Sequence, residues 1–279
     1  MKSLFLLLVL GLLSACSHVY YQPMKPHYVD PKQFKLIYED VYFDSSDGTK
    51  LHGWFFPSEL KKPKGTLIHF HGNAQNLSTH FFNTIWLVKE GYDLFIFDYR
   101  GYGKSDGKPN QEGIYHDSLA AMEKGYEFHQ KRSSEKFIIY GQSLGGIISL
   151  RALVDFKHKE AVDLIVQDST FSSYTRIGFD VLTRRWFIAW LGPLAFVLVS
   201  NEYGSNKVLD KVKTPTLVIV GQKDQIIPQK FGKEIFKKVA SPKKWLWKLP
   251  NGGHIDVFHH EKGIYRKKFI DFLDQLGQE

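Results

Sequence analysis

Ser143 stands in Gly141-Gln142-Ser143-Leu144-Gly145, between the apolar run FIIY and a helix-forming run that begins GGIISL. A chain reversing from strand to helix in so few residues lifts the serine hydroxyl clear of the sheet, where it can act as a nucleophile. Gly141 and Gly145 flank the turn because side chains there would collide as strand and helix close up. The N–H of Leu144, at the helix start, is aimed at an oxygen of whatever Ser143 attacks. Such a serine needs a base, and an acid to orient that base. On strand–turn–helix elbows of this kind the chain order is serine, acid, histidine. Downstream histidines are His158, His254, His259 and His260. His158 sits among lysines, and His259 and His260 fall in a helical stretch. His254, in Asn251-Gly252-Gly253-His254 between the last strand and the last helix, is the expected base. Asp168 and Asp224 each follow a strand. Asp224 is the expected acid, one strand–helix–strand unit before His254 and ahead of Pro228 at a helix start. Asp168 is read as structural, bonding loop amides. The N–H of Asn73, in His71-Gly72-Asn73, is the second expected oxyanion donor beside that of Leu144. His69 and His71 form an H-x-H pair without a third ligand at suitable spacing, so no metal is expected there. Nor does this chemistry need a cofactor. The loop Tyr99-Arg100-Gly101-Tyr102-Gly103 lacks the phosphate-binding lysine and the dinucleotide glycine spacing, and is read as a structural turn bordering the site.

The elements that must position these residues follow from local pattern. Residues 37–43 and 51–56 alternate around Ser46-Asp47-Gly48, predicting a hairpin. Apolar runs at 66–72, 93–98, 137–140, 163–168, 216–224 and 244–249 predict strands. Helices are expected at 78–90 with Ser78 as cap, at 111–131, from the elbow to about Val154, near 228–239, and after His254. Strand–helix alternation predicts an α/β fold, with a mostly parallel twisted sheet covered on both faces. In such sheets ligands bind at the carboxyl ends of the strands, where every candidate above falls.

The N-terminus carries a different message. One lysine, the apolar run Leu4–Leu13 and small residues before Cys16 read as a secretory signal over residues 1–15, too short to span a bilayer. Leu13-Ser14-Ala15-Cys16 resembles the lipobox of bacterial lipoproteins, which implies a lipid on Cys16, the one cysteine of the chain. Ser17 after it implies an outer-membrane destination in lipoproteins of this kind. Residues 16–33, with several prolines and tyrosines, read as a tether, and 34–279 as one catalytic domain. The net charge of +8 is spread along the chain without a nucleic-acid motif, so attraction to anionic lipid is expected rather than nucleic-acid binding.

HGNA, FDYRGYGKSDG, GQSLGG, GQKDQIIP and GGH together resemble the abhydrolase-domain serine hydrolases, α/β-hydrolases of esterase and thioesterase type, from about Tyr42 to the end. The resemblance implies Ser143, Asp224 and His254 as a triad with Asn73 and Leu144 at the oxyanion positions. A serine nucleophile argues against dehalogenase or epoxide-hydrolase chemistry. A lid is expected at about 171–206. Its run Trp186–Val199, interrupted by Gly192-Pro193, predicts two short apolar helices flanked by Arg184 and Arg185. Two readings of that lid stand: packing onto the core, or an acyl-chain channel opening toward the bilayer that holds Cys16. The expected reaction is ester or thioester hydrolysis. A peptidase of the same fold and a non-catalytic binding lipoprotein are the alternatives.

Overall fold

The computed structural model describes residues 20–276. The expected signal, Cys16 and Ser17 lie outside the described residues. Eight strands form one sheet: β1 (Glu39–Asp44), β2 (Lys50–Phe56), β3 (Gly65–Phe70), β4 (Tyr92–Asp98), β5 (Phe137–Gln142), β6 (Leu164–Asp168), β7 (Thr216–Gly221) and β8 (Lys244–Leu249). Their spatial order is β1-β2-β4-β3-β5-β6-β7-β8. All pairings are parallel except those of β2, which runs antiparallel to both β1 and β4. Strands β3 to β7 are buried along their whole length. That is why they read as unbroken apolar runs, while the edge strand β1 alternates.

The main helices are α1 (Gln111–Arg132), α2 (Leu144–Leu153), α3 (Tyr174–Thr183), α4 (Gln229–Lys238) and α5 (Ile264–Gln275). All but α3 pack on the sheet, and α3 packs on the segment 189–198. Side chains alternating along each strand feed two cores. One holds Ile68, Phe97, Ile139 and Val218 with Met122, Ile147 and Phe231 from α1, α2 and α4. The other holds Leu67, Ile96, Ile138 and Ile219 with Phe81, Leu87, Phe269 and Leu273.

Three expectations change. The predicted helix at 78–90 is broken into one-turn pieces, Leu77–His80 and Trp86–Lys89, around a 3-10 turn, and Asn76 rather than Ser78 caps it. Its aromatic and β-branched residues lose side-chain freedom in a continuous helix. The last helix begins only at Ile264, because Glu261, Lys262 and Gly263 take positive φ. The stretch read as a tether is docked from Tyr20 onward. Gln22 and Pro23 pair in parallel with Ala74 and Gln75. Asn76 Nδ2 donates to the carbonyls of Met24 and Pro26, and Ser78 Oγ accepts from the Tyr28 N–H. Extended backbone beside an unpaired loop finds partners there, which no composition signal reports.

Candidate active site

The elbow between β5 and α2 carries Ser143 with φ 53° and ψ −114°. A non-glycine residue in that region is strained and persists only where its surroundings impose it. Here they do. Ser143 N–H donates to the Asp168 carbonyl at 2.9 Å, and Thr170 Oγ1 donates to the Ser143 carbonyl at 2.5 Å. A Cβ on Gly145 would stand 2.0 Å from the Phe70 carbonyl oxygen, so the helix start can lie this close to β3 only as glycine.

His254 Nε2 lies 3.0 Å from Ser143 Oγ, and His254 Nδ1 lies 2.8 Å from Asp224 Oδ2. With the proton on Nδ1 donated to the carboxylate, Nε2 accepts from the serine hydroxyl. The other Asp224 oxygen accepts the N–H groups of Ile226 and Ile227, both at 2.8 Å, which locks the carboxylate's orientation. The loop of His254 is held from behind: Gly253 N–H donates to Asp256, and the N–H of Ile255 (φ 53°) donates to Ser169 Oγ. The three residues singled out from sequence therefore meet, from the ends of β5, β7 and β8. His158, His259 and His260 stand elsewhere: His158 stacks on Tyr126, His259 faces Arg266, and His260 faces Glu261.

Asp168 is buried at the end of β6, and its carboxylate, expected to bond loop amides, bonds two hydroxyls instead. It accepts from Tyr140 Oη at 2.6 Å and from Ser169 Oγ at 3.0 Å. Burial pushes its carboxyl up to about 6. Through Ser169 it supports the Ile255 N–H, so its part is to brace the histidine loop.

Asn73 and Leu144 line the same cavity as Ser143. Leu144 is the first residue of α2, so its N–H has no carbonyl within the helix to pair with. The Asn73 side chain is itself braced: its Oδ1 accepts from the Gln22 N–H at 2.9 Å and from Tyr102 Oη at 3.2 Å. Tyr99 Oη donates to the His71 carbonyl. The tyrosines of the β4 loop thus support the His71–Asn73 loop, beyond merely bordering the site. Arg100 anchors that β4 loop, bonding Asp117 through Nε and Nη2 and Asp47 through Nη1.

His69 and His71 do not converge. His69 lies between Thr84 Oγ1 and Gln142 Oε1, and His71 Nδ1 lies 2.7 Å from the Gly72 carbonyl. His80, not singled out from sequence, bridges the Gln142–Ser143 turn to the Asn73 loop. Its Nδ1 is 3.0 Å from Gln142 Oε1 and its Nε2 is 2.9 Å from the Ala74 carbonyl. Burial first, and the neighbouring His71 second, bring its pKa down to about 4, so it works as a neutral strut.

The cavity beside Ser143 has a volume of about 420 Å³ and is lined by Tyr20, Phe171, Ile177, Leu191 and Leu198 among others, with no charged residue among the described residues. Its far wall is formed by the segment where a lid is expected: α3, a 3-10 stretch at Ala189–Leu194 containing Pro193, and a single helical turn at Ala195–Leu198. Ion pairs Arg176–Glu234 and Lys230–Asp180 tie α3 to α4. Arg184, which flanks this segment as the sequence has it, donates to the carbonyls of Gln225 and Ile226 beside Asp224. Trp186 and Trp190 are 88% and 77% exposed. Among the described residues no helix is long and apolar enough to cross a membrane.

A family model described as serine aminopeptidase, S33 (Hydrolase_4) matches residues 61–206. YfhR of Salmonella typhi is 32% identical over 98% of this chain and 94% of its own. The esterase Pf2001 of Pyrococcus furiosus superposes with a TM-score of 0.72, covering 92% of this chain and 98% of that one at 21% identity. Acetyl xylan esterase 1 from Thermoanaerobacterium sp. does so with a TM-score of 0.66, covering 96% and 92% at 18% identity. At such identities the two esterases speak for the architecture, which is the α/β-hydrolase fold. With a family model matching half its length and a relative alike from end to end, the chain belongs to the Hydrolase_4 (serine aminopeptidase, S33) family of α/β-hydrolases and is YfhR-like within it.

Proposed function

We propose that the chain is a serine hydrolase of carboxylic esters or thioesters whose acyl chain lies in the cavity under the lid. One observation carries this reading: the hydrogen-bonded line Asp224–His254–Ser143 ends in an apolar cavity with no charged group among its described lining residues. His254 Nε2 takes the proton of Ser143 as Oγ attacks the acyl carbonyl, and Asp224 stabilises the imidazolium that forms. The N–H groups of Leu144 and Asn73 receive the oxyanion. The imidazolium then gives its proton to the leaving alcohol or thiol, and water deprotonated by His254 releases the acid. The aminopeptidase in the family's description would need a carboxylate to meet a free α-ammonium. Among the described residues the cavity lining has none, which supports acyl substrates over peptides with a free N-terminus.

The localisation belongs to the same proposal. Lipidation at Cys16 would place the anchor four residues before Tyr20, which lines the cavity, and four residues span at most ~14 Å. The cavity mouth and the exposed tryptophans would then face the bilayer, by preference the outer membrane. Incorporation of a clickable palmitate into the wild type and not into Cys16→Ser tests the anchor, and membrane fractionation tests its destination.

Hydrolysis of p-nitrophenyl esters from acetate to palmitate, with acyl thioesters beside them, tests the reaction. Turnover lost in Ser143→Ala supports the hydrolase, and its maximum along the series reports the acyl length accepted. Absence of serine-dependent turnover on every ester and thioester would sink it, in favour of a peptidase or a binding scaffold.

A further inference from the structure

The docked N-terminal stretch carries a side chain that hydrolysis does not use. His27 lies on it and directs Nε2 toward His52 of β2 and Asp98 at the end of β4. One ring nitrogen of His27, one of His52 and one carboxylate oxygen of Asp98 all lie within 4.8 Å of one another. His27 Nε2, His52 Nδ1 and Asp98 Oδ2 are buried atoms without a hydrogen-bond partner. His27 Nε2 stands 3.7 Å from Asp98 Oδ2, beyond hydrogen-bond length. A buried polar atom left without a hydrogen bond is destabilising, so three of them converging on one point ask for a common partner.

The surroundings prepare each atom for a cation. His52 Nε2 lies 2.5 Å from Asp40 Oδ1, which also accepts from Trp54 Nε1 and stands 3.5 Å from Lys104 Nζ. A carboxylate holding the Nε2 proton leaves Nδ1 with its lone pair, as in histidines that bind metals. Asp98 Oδ1 is occupied by the Leu77 N–H at 2.8 Å and faces His71 Nε2 at 3.3 Å, so Oδ2 is the oxygen turned to the two imidazoles. Gly103 (φ 46°) closes the far side and donates its N–H to the Met24 carbonyl. A Cβ there would stand 1.9 Å from Asp98 Oδ2 and 3.0 Å from His27 Nε2. Only glycine leaves room between them.

We propose that His27, His52 and Asp98 bind a zinc ion that clasps the N-terminal stretch to the ends of β2 and β4. Two imidazoles and one carboxylate suit zinc. An ion centred among atoms no more than 4.8 Å apart is within about 2.8 Å of each. Zinc bonds to these atoms are ~2.0–2.2 Å long, so side-chain shifts below ~1 Å close the shell. The role is structural. Through Asp98 the clasp reaches Leu77 and His71, and through His71 the Gly72 carbonyl, so it steadies the loop that bears Asn73. Nothing in it depends on the hydrolase reading, since its readout is metal rather than turnover.

The full-length chain, purified in detergent without a histidine tag, is equilibrated with zinc, passed through gel filtration and analysed for metal. About one zinc per chain is expected, with at least tenfold less in His27→Ala. That side chain is partly exposed on the docked stretch, so its loss should leave the sheet intact, as circular dichroism would check. Asp40→Asn should weaken zinc binding about 10- to 100-fold. Cobalt(II) in place of zinc should give a visible absorption band in the wild type that His27→Ala lacks. Zinc below a tenth per chain in the wild type, or equal zinc and equal cobalt spectra in wild type and His27→Ala, would overturn the site.

Discussion

At the residue scale, Ser143 and Asp168 make separate predictions. Ser143→Ala should lower kcat/KM on the best p-nitrophenyl ester by about 1,000-fold or more with an unchanged circular dichroism spectrum, because the nucleophile goes while the elbow stays. Asp168 titrates in the folded protein at about 6, raised by burial from an ordinary 3.8. A carboxyl raised on folding binds more protons in the native state. Its contribution to stability is therefore full below about 4 and is lost as pH rises through about 6. Asp168→Asn removes that titration. Its melting temperature relative to wild type should rise between pH 4 and pH 7, and a pH-independent difference would refute the assignment. Ser143, Asp224 and His254 were legible because each follows a strand end and sits near glycine or a helix start. The strut His80 was not, since its partners Gln142 and Ala74 are brought to it by folding.

At the scale of elements, the β4 loop and the docked N-terminal stretch do the positioning. Arg100→Ala leaves Asp117 buried without its cation, and loss of one partner of a buried pair costs about 3–5 kcal/mol. Chemical denaturation should report a loss of that size. Asn76→Ala removes the donors to Met24 and Pro26. Limited proteolysis should then cut near residues 24–28 faster than in wild type while the sheet resists. Equal cleavage rates would mean that the stretch is held by its tyrosines alone. The sequence marked this stretch as proline-rich and unpatterned, and its pairing with Ala74 and Gln75 depends on a loop fifty residues away.

For the molecule as a whole, the arrangement of cavity, lid and N-terminal stretch sets how it would meet a bilayer. Trp186 and Trp190 project from the lid, whereas Trp54 is buried in the core. Vesicles of brominated phosphatidylglycerol should quench the protein's fluorescence, and Trp186→Phe with Trp190→Phe should abolish most of the quenching. Unchanged quenching in the double variant would place the contact elsewhere. Leu191→Glu puts a charge in the apolar cavity and should depress turnover of palmitate esters far more than of acetate esters. Equal effects on both would remove the acyl cavity from the proposal.

By itself the sequence determined the order and type of the strands and the residues able to do chemistry, because buried parallel strands are continuous apolar runs and sharp turns demand glycine. The support of the His71–Asn73 loop by Tyr99 and Tyr102, the turn of Arg184 toward the Asp224 loop, and the meeting of His27, His52 and Asp98 were decided only in three dimensions. Each joins residues far apart in the chain through side-chain direction, and neither periodicity nor spacing encodes that direction.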